Sequence, residues 1–132
     1  MRKLQIPNYH RQRFLLVLLE LTGGRLSKRD FQKFGEMVEA EALELHAIML
    51  TQTPPLIYWL PGTVEIMRLT RKWRANDLSV YFTVNTGQNI HLICEQKNVN
   101  RVVRELKKLV TVRDIIVNSP SEGARLIQDH LF

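Results

Sequence analysis

The sequence predicts an α+β domain in which an antiparallel four-stranded sheet has helices packed on one face, a ferredoxin-like arrangement with two extra N-terminal helices. The chain has 132 residues, which is the size of one domain. Apolar residues recur at helical spacing in four segments, and four other segments have the period of two that half-buried strands show. The predicted order, two helices followed by αββαββ, favours an antiparallel sheet over a doubly wound parallel one.

Composition and charge are those of an ordinary folded domain. Hydrophobic residues make up 45% of the chain and charged residues 24%, which excludes a disordered tail. The longest unbroken apolar run, residues 14–19, is far shorter than the roughly 20 residues that a membrane span needs. No secretory leader follows Met1, so we expect a cytoplasmic protein without a membrane contact. The net charge of +6 suits several kinds of anionic partner and does not choose among them.

Residues 7–132 are expected to form one domain behind a basic arm at residues 1–6. The first predicted helix spans residues 9–22, because apolar residues recur at helical spacing until a pair of glycines. The second begins at Ser27, whose hydroxyl can cap the first turn, and continues to about Leu50, since two prolines follow. Its predicted inward residues are Phe31, Phe34, Val38, Leu45 and Ile48.

Two further helices and four strands complete the predicted domain. Thr63 is expected to cap the third helix, which ends at Asn76, and Asn98 is expected to cap the fourth. Their predicted inward residues are Ile66, Met67, Leu69 and Trp73 in the third helix, and Val102, Val103, Leu106 and Leu109 in the fourth. Alternating apolar, β-branched and aromatic residues predict strands at residues 78–84, 90–95, 112–117 and 124–127.

Five polar or small residues join the first two predicted strands: Asn85, Thr86, Gly87, Gln88 and Asn89. We call this segment the hairpin loop. Taken by itself, it predicts an ordinary connection in which Gly87 supplies a positive φ. Any functional interpretation of the loop depends on the sequence around it.

Several classes of site find no support in the sequence. The four histidines include no i, i+4 pair and no nearby second cysteine, so no metal site is predicted. Cys94 lies in a predicted strand without an activating motif and is interpreted as a buried structural thiol. No glycine-rich phosphate loop is present, so no ATP site is expected in this chain.

Nucleic-acid binding stays open as a minor alternative. Arg101, Arg104 and Lys108 fall on one stripe of the fourth helix, as a phosphate-binding face would require. A solvated helix face explains this stripe as well. Tyr81 and Phe82 are consecutive, so only one of them can face outward from a strand, and the motif of RNA-recognition domains is missing.

Four blocks of sequence, in order along residues 9–127, carry the most specific signal. They are residues 34–47, which end in Leu-His-Ala; residues 53–59, Thr-Pro-Pro-Leu-Ile-Tyr-Trp; residues 80–92, which contain the hairpin loop; and residues 123–127, Gly-Ala-Arg-Leu-Ile. Together they strongly resemble the C-terminal domain of the diphosphomevalonate decarboxylase family. The resemblance implies the GHMP kinase superfamily, whose C-terminal domain is ferredoxin-like with extra helices, in agreement with the predicted order of elements.

The resemblance implies a division of labour between two domains. The complete family enzyme phosphorylates the tertiary hydroxyl of mevalonate diphosphate with ATP and Mg²⁺, and loss of phosphate and CO₂ then gives isopentenyl diphosphate. The phosphate loop belongs to an N-terminal domain that is not found in this sequence, so ATP and Mg²⁺ are implied for the complete enzyme and no cofactor is expected in this chain. The C-terminal domain contributes a loop with the pattern Asp-Ala-Gly-Pro-Asn, whose acid orients or deprotonates the hydroxyl.

Matched to this pattern, Asn85 replaces the family's acid at the catalytic position. Gly87 and Asn89 agree with the pattern, whereas Thr86 and Gln88 replace its alanine and proline, and the resemblance implies that these four residues bind substrate. A side-chain amide has the shape of a carboxylate but neither its charge nor its basicity at neutral pH. We therefore expect this chain by itself to be inactive, and whether a complete assembly is an enzyme stays open.

Three functions remain at this point. The chain is a C-terminal domain or subunit that works with an ATP-binding N-terminal half, a non-catalytic descendant that binds an anionic small molecule or a protein, or a nucleic-acid-binding domain. We expect it to associate with an N-terminal half or with itself, because the face that normally meets the N-terminal domain would otherwise expose apolar surface. Residues 56–60 are a candidate part of that face.

Overall fold

The computed structural model of the chain describes residues 28–120 and 122–126, together with the backbone of residues 12–17. Three helices and four strands make up the described part: β1 (Gln12–Val17), α1 (Lys28–Thr51), α2 (Pro61–Ala75), β2 (Val80–Val84), β3 (Ile90–Cys94), α3 (Val99–Lys107) and β4 (Val112–Asn118). The α+β class is therefore confirmed. The predicted arm at residues 1–6 and the predicted cap Ser27 lie outside the described residues.

The sheet has four strands in the order β2-β3-β1-β4. β2 and β3 form the predicted antiparallel hairpin, in which Tyr81 lies opposite Ile93 and Phe82 opposite Leu92. β1 lies between β3 and β4 and runs parallel to both of them. The prediction of an all-antiparallel, ferredoxin-like sheet is wrong in this respect, because two of its three pairings are parallel.

The predicted first helix is the largest error, since residues 12–17 form the strand β1. Residues 9–11 and 18–22 of that prediction lie outside the described residues. The apolar run at residues 14–19 fits helical spacing, but a strand between two parallel neighbours also reads as an unbroken apolar run. Pairing with β3 and β4, which are distant in sequence, decides between the two structures.

Helices cover both faces of the hairpin: α2 and α3 share one face, as predicted, and α1, which the sequence predicts as one of two extra N-terminal helices, lies on the other. On one face, α2 and α3 pack on alternate residues of β2 and β3 in a large buried cluster: Ala42, Ile66, Met67, Trp73, Leu78, Val80, Phe82, Val84, Ile90, Leu92, Cys94, Val102 and Leu106. On the other face, Phe31 from the start of α1 packs against Tyr81 and Ile93. α1 then runs past the free edge of β2.

The buried stripe of α1 differs from the predicted one in its second half. Phe31 is buried, and Phe34 and Val38 pack against the same small cluster, as predicted. Leu45 and Ile48 are 42% and 66% exposed, so their assignment to the inward side is wrong. The stripe instead continues through Glu39, Ala42, His46 and Met49, which are all buried. Two polar residues thus occupy inward positions that an apolar pattern cannot identify.

The ends of α2 also differ from the predicted caps. Leu60 is the residue before the first turn, and Thr63 lies in the third helical position with its Oγ1 accepting the Leu60 N–H. At the other end Asp77 has a φ of 59°. The Leu78 N–H reaches the Trp73 carbonyl and the Asp77 N–H the Arg74 carbonyl, which is a Schellman ending with an aspartate in the usual glycine position.

The remaining predictions concern α3, the C-terminal segment and the membrane. The Asn98 side chain does not cap α3; its amide lies 3.5 Å from the Ser79 carbonyl instead. Residues 124–126 form no strand, and Ile127 lies outside the described residues. Among the described residues, no helix combines the length and the apolar character needed to cross a membrane.

Candidate functional site

The hairpin loop lies where the sequence predicts it, between β2 and β3. Asn85, Thr86, Gln88 and Asn89 are exposed and Gly87 is half-buried. The flanking residues Val84 and Ile90 are opposite each other and buried. The loop is therefore an exposed polar turn on a hairpin whose base is held by the core.

Gly87 does not have the positive φ that the ordinary hairpin interpretation predicts. No heavy atom lies within 4 Å of the position that a Cβ on this residue would occupy. Neither backbone strain nor crowding inside the described chain therefore explains a glycine here. A residue without a Cβ beside open space leaves room for another molecule to approach the backbone closely.

The first end of the loop is held by His46. This side chain is 1% exposed, and its Nε2 lies 2.8 Å from the Asn85 carbonyl oxygen. Because a carbonyl only accepts, Nε2 carries the proton. The His46 ring packs against Trp59 at 5.1 Å between centroids and against the edge of Tyr58 at 6.3 Å. The Asn85 carbonyl also accepts the Gly87 N–H at 3.0 Å.

The second end of the loop is held by Thr63. Its hydroxyl accepts the Leu60 N–H at 3.1 Å and donates to the Gln88 carbonyl at 3.0 Å. Thr63 is fully buried. The first turn of α2 and the far end of the loop are therefore joined through one hydroxyl group.

The Asn85 side chain is exposed and makes no hydrogen bond within the described part of the chain, so its amide is available to a second molecule. An amide can donate one hydrogen bond and accept another from a substrate hydroxyl. It cannot remove a proton at neutral pH. The position that the sequence predicts as catalytic thus carries an exposed amide and no base.

Among the described residues, charged side chains rather than another strand cover the edge of β2 that faces away from β3. Glu39 accepts the Phe82 N–H at 3.1 Å and pairs with both terminal nitrogens of Arg74, whose Nη1 also donates to the Val80 carbonyl at 2.8 Å. The Arg74 guanidinium lies 4.5 Å from the centroid of the Tyr81 ring. This ion pair supplies the backbone partners that an edge strand lacks.

The alternative sites can be compared with the structure. Cys94 is fully buried, and burial, with a smaller contribution from Glu95, raises the pKa of its thiol to about 12. The prediction that this thiol is buried is confirmed. Burial lowers the pKa of His91, so this ring is neutral at pH 7. Within the described ranges, no three His, Cys, Asp or Glu side chains are grouped so that they could hold a metal ion.

Part of the basic stripe on α3 serves the fold. Arg101 donates to the Asn76 and Asp77 carbonyls, which end α2, and Lys108 pairs with Glu105 at 2.8 Å. Arg104 is exposed. Tyr81 and Phe82 are both buried, on opposite faces of β2, so this strand presents no aromatic ring on which a base could stack.

Three buried polar residues are not predicted from the sequence as functional: His46 and Thr63, which support the hairpin loop, and Glu39, which supports the edge of β2. Steps of three and four residues from Phe31 along α1 lead through Glu39 and Ala42 to His46, which is a signal that the spacing does contain. Thr63 is predicted as a helix cap instead. A stripe on α1 defined by position rather than by apolar character places Glu39 and His46 inward.

Comparison with known proteins gives similar curated sequences and similar solved structures. A phosphomevalonate decarboxylase of Haloferax volcanii is 32% identical over 74 residues, which cover 55% of this chain and 23% of that protein. A diphosphomevalonate decarboxylase of Debaryomyces hansenii is 26% identical over 83 residues. A solved structure of the mevalonate diphosphate decarboxylase of Enterococcus faecalis matches 61% of this chain with 36% identity and a TM-score of 0.58. That structure concerns ATP binding mediated by mevalonate diphosphate.

A mevalonate pyrophosphate decarboxylase structure from Streptococcus pyogenes matches with 30% identity and the same TM-score of 0.58. In these comparisons the chain spans about a quarter of the length of the relatives, 23% of the Haloferax protein and 25% of each bacterial one. Residues 19–127 match the sequence profile of the mevalonate 5-diphosphate decarboxylase C-terminal domain. The chain belongs to the family of mevalonate 5-diphosphate decarboxylase C-terminal domains.

Proposed function

We propose that this chain is the C-terminal part of a decarboxylase-type assembly and supplies the hairpin loop to an active site completed by an ATP-binding N-terminal half. The observation that carries the proposal is the exposed loop of residues 85–89 in a chain of this family. Its substrate is a phosphorylated mevalonate, the class named for the relatives. In this proposal ATP and Mg²⁺ are held by the N-terminal half, as the resemblance to the family implies.

In this proposal Asn85 lies at the tertiary hydroxyl of the substrate and holds it by hydrogen bonds. Gly87 allows the loop backbone to approach the substrate, since its α-carbon faces open space. Thr86, Gln88 and Asn89 are exposed and contribute further polar groups to the same site. Because the amide of Asn85 takes no proton, turnover is lower than with a carboxylate by about 10²–10⁴.

The partner surface is the exposed apolar part of α1 and of the segment after it. Met37 and Ile48 are 62% and 66% exposed, and Leu56 and Ile57 are exposed as well. The Leu56 N–H donates to the Met49 carbonyl, so the segment follows the end of the helix. Large exposed apolar patches commonly mark protein interfaces.

Reconstitution with the N-terminal half of a similar decarboxylase tests the proposal. The assay follows phosphate and CO₂ release from mevalonate phosphate and from mevalonate diphosphate in the presence of Mg·ATP, after complex formation has been verified. Asn85→Asp is expected to raise turnover by about 10²-fold or more, because it restores a carboxylate at the reacting hydroxyl. Asn100→Asp introduces the same charge at an exposed position of α3 and is expected to leave turnover unchanged.

Fast turnover of the wild-type pair that Asn85→Asp leaves unaltered would contradict the role of Asn85. The family relationship also allows a non-catalytic binding module, which the amide at position 85 favours. Two results together would support that second function: the reconstituted complex binds a phosphorylated mevalonate, and the Asn85→Asp variant of the complex shows no turnover. Isothermal titration of the chain alone with Mg·ATP is expected to show no measurable binding.

A further inference from the structure

We propose that His46 and Thr63 are positioning residues that hold the backbone of the hairpin loop at its two ends. The consequence for catalysis rests on the proposed function, whereas the effect on the loop itself does not. His46 binds the Asn85 carbonyl and Thr63 binds the Gln88 carbonyl, at 2.8 and 3.0 Å. Each contact reaches the loop from a different helix, α1 or α2.

The hydrogen bond of His46 is buried and has a fixed direction. The ring is 1% exposed, and a buried polar group without a partner would be costly. Its Nε2 contacts the carbonyl of Asn85, a residue 39 positions later in the chain. Packing against Trp59 and Tyr58 fixes the plane of the ring, so the direction of the donor is fixed as well.

The Thr63 contact uses both capacities of the hydroxyl group. One lone pair accepts the Leu60 N–H at the start of α2, and the proton goes to the Gln88 carbonyl. Acceptance at one side directs the proton toward the other, because the hydroxyl has a single hydrogen. The orientation of the first turn of α2 thereby sets the position of the far end of the loop.

Within the loop itself, the backbone bond from the Gly87 N–H to the Asn85 carbonyl shares its acceptor with His46. Loss of the His46 donor would free this carbonyl to rotate and weaken the turn at Gly87. The Asn85 side chain follows its own backbone, so its amide would no longer have a fixed place. Misplacement of a reacting group by about 1 Å can cost about 10² in rate.

Two pairs of substitutions test the proposal on the chain itself. His46→Phe keeps a planar ring without a donor, and His46→Gln keeps an amide N–H close to the position of Nε2. Thr63→Val removes the hydroxyl at constant shape, and Thr63→Ser retains it. Thr70→Val is the matched control, since Thr70 is equally buried on α2 but donates to the Ile66 carbonyl of its own helix and not to the loop.

The readout is amide hydrogen exchange of Gly87 followed by NMR, with Tyr81 and Ile93 as reporters of the hairpin itself. His46→Phe and Thr63→Val are each expected to speed exchange at Gly87 by about 10-fold or more, while exchange at the two reporters changes far less. His46→Gln and Thr63→Ser are expected to restore the wild-type rate to within about 3-fold. In the wild type, the ¹⁵N spectrum of His46 is expected to show a proton on Nε2.

Any of three results would overturn the proposal. Exchange at Gly87 stays unchanged in both His46→Phe and Thr63→Val, Thr70→Val speeds it equally, or His46→Gln and Thr63→Ser do not restore the wild-type rate. If His46→Phe does not fold, the two Thr63 variants decide. In the reconstituted pair, His46→Phe in the Asn85→Asp background is expected to lower kcat more than it raises KM. Altered exchange with no turnover in any variant means that the proposed function fails and the positioning role stands.

Discussion

The two faces of the β2–β3 hairpin are packed in different ways. One face is covered by α2 and α3 and belongs to a cluster of thirteen buried residues that are almost all aliphatic or aromatic. The other face holds a cluster of three, Phe31, Tyr81 and Ile93, with the Arg74 guanidinium over the Tyr81 ring. The large cluster supplies most of the buried area that stabilises the hairpin. The small cluster fixes where α1 lies, and therefore where His46 meets the loop.

Substitutions at two neighbouring residues of β3 compare how much each face contributes to the free energy of unfolding. Leu92 is buried in the large cluster and Ile93 in the small one. We expect Leu92→Ala to lower the free energy of unfolding by about 4 kcal/mol and Ile93→Ala by about 2 kcal/mol, since a cavity in the larger cluster is less able to collapse. Urea unfolding of the two variants gives both values. Equal costs, or a larger cost at Ile93, would show that the two faces contribute alike.

Gly35 tests how closely α1 approaches the small cluster. A Cβ on this residue would clash with the Tyr81 ring. Gly35→Ala is therefore expected to destabilise the protein by about 1–3 kcal/mol, although the same change in an open helix gains about 1 kcal/mol. Thermal and urea unfolding measure the effect.

The Tyr81→Ala background provides the control for Gly35. With the ring removed, Gly35→Ala is expected to become neutral or to stabilise by up to about 1 kcal/mol, so that the sign of its effect reverses. A cost that persists without the ring would place the crowding elsewhere. Ala40→Gly, at an exposed position of the same helix, calibrates the helical propensity.

Cys94 is buried in the large cluster, so its ionisation makes the stability of the protein depend on pH. Its thiol has an ordinary pKa of 9.0, which holds in the unfolded chain, and burial raises the pKa to about 12 in the folded protein. Between these values the unfolded state binds fewer protons, so stability falls as the pH rises above 9. The loss is expected to reach about 1.4 kcal/mol at pH 10.

Comparison with Cys94→Ala isolates this contribution from other groups that titrate at high pH, Tyr81 among them. The free energies of unfolding of the two proteins are measured by urea at pH 8 and at pH 10. The variant is expected to lose about 1.4 kcal/mol less than the wild type between these pH values. Identical losses would mean that Cys94 ionises in the folded state as easily as in the unfolded one.

Local signals were sufficient for the segment from α1 to α3. The prolines before α2, the alternation in β2 and β3 and the polar residues between them act over a few neighbouring residues. The element boundaries are therefore predicted to within about three residues. The position of Asn85 at the start of an exposed loop follows from the same signals. The resemblance to a family supplied the functional meaning of that position, which no local pattern contains.

Short-range periodicity and turn chemistry specify the α+β class, three helices, the hairpin and the exposed loop, so these features can be predicted from residues that are close in the chain. The tertiary structure makes residues 12–17 a strand, since the partners β3 and β4 are far away in the chain. It also decided that Glu39 and His46 face inward. The backbone groups at the edge of β2 and at Asn85 need hydrogen-bond partners, and that need exists only once the hairpin and α1 lie side by side.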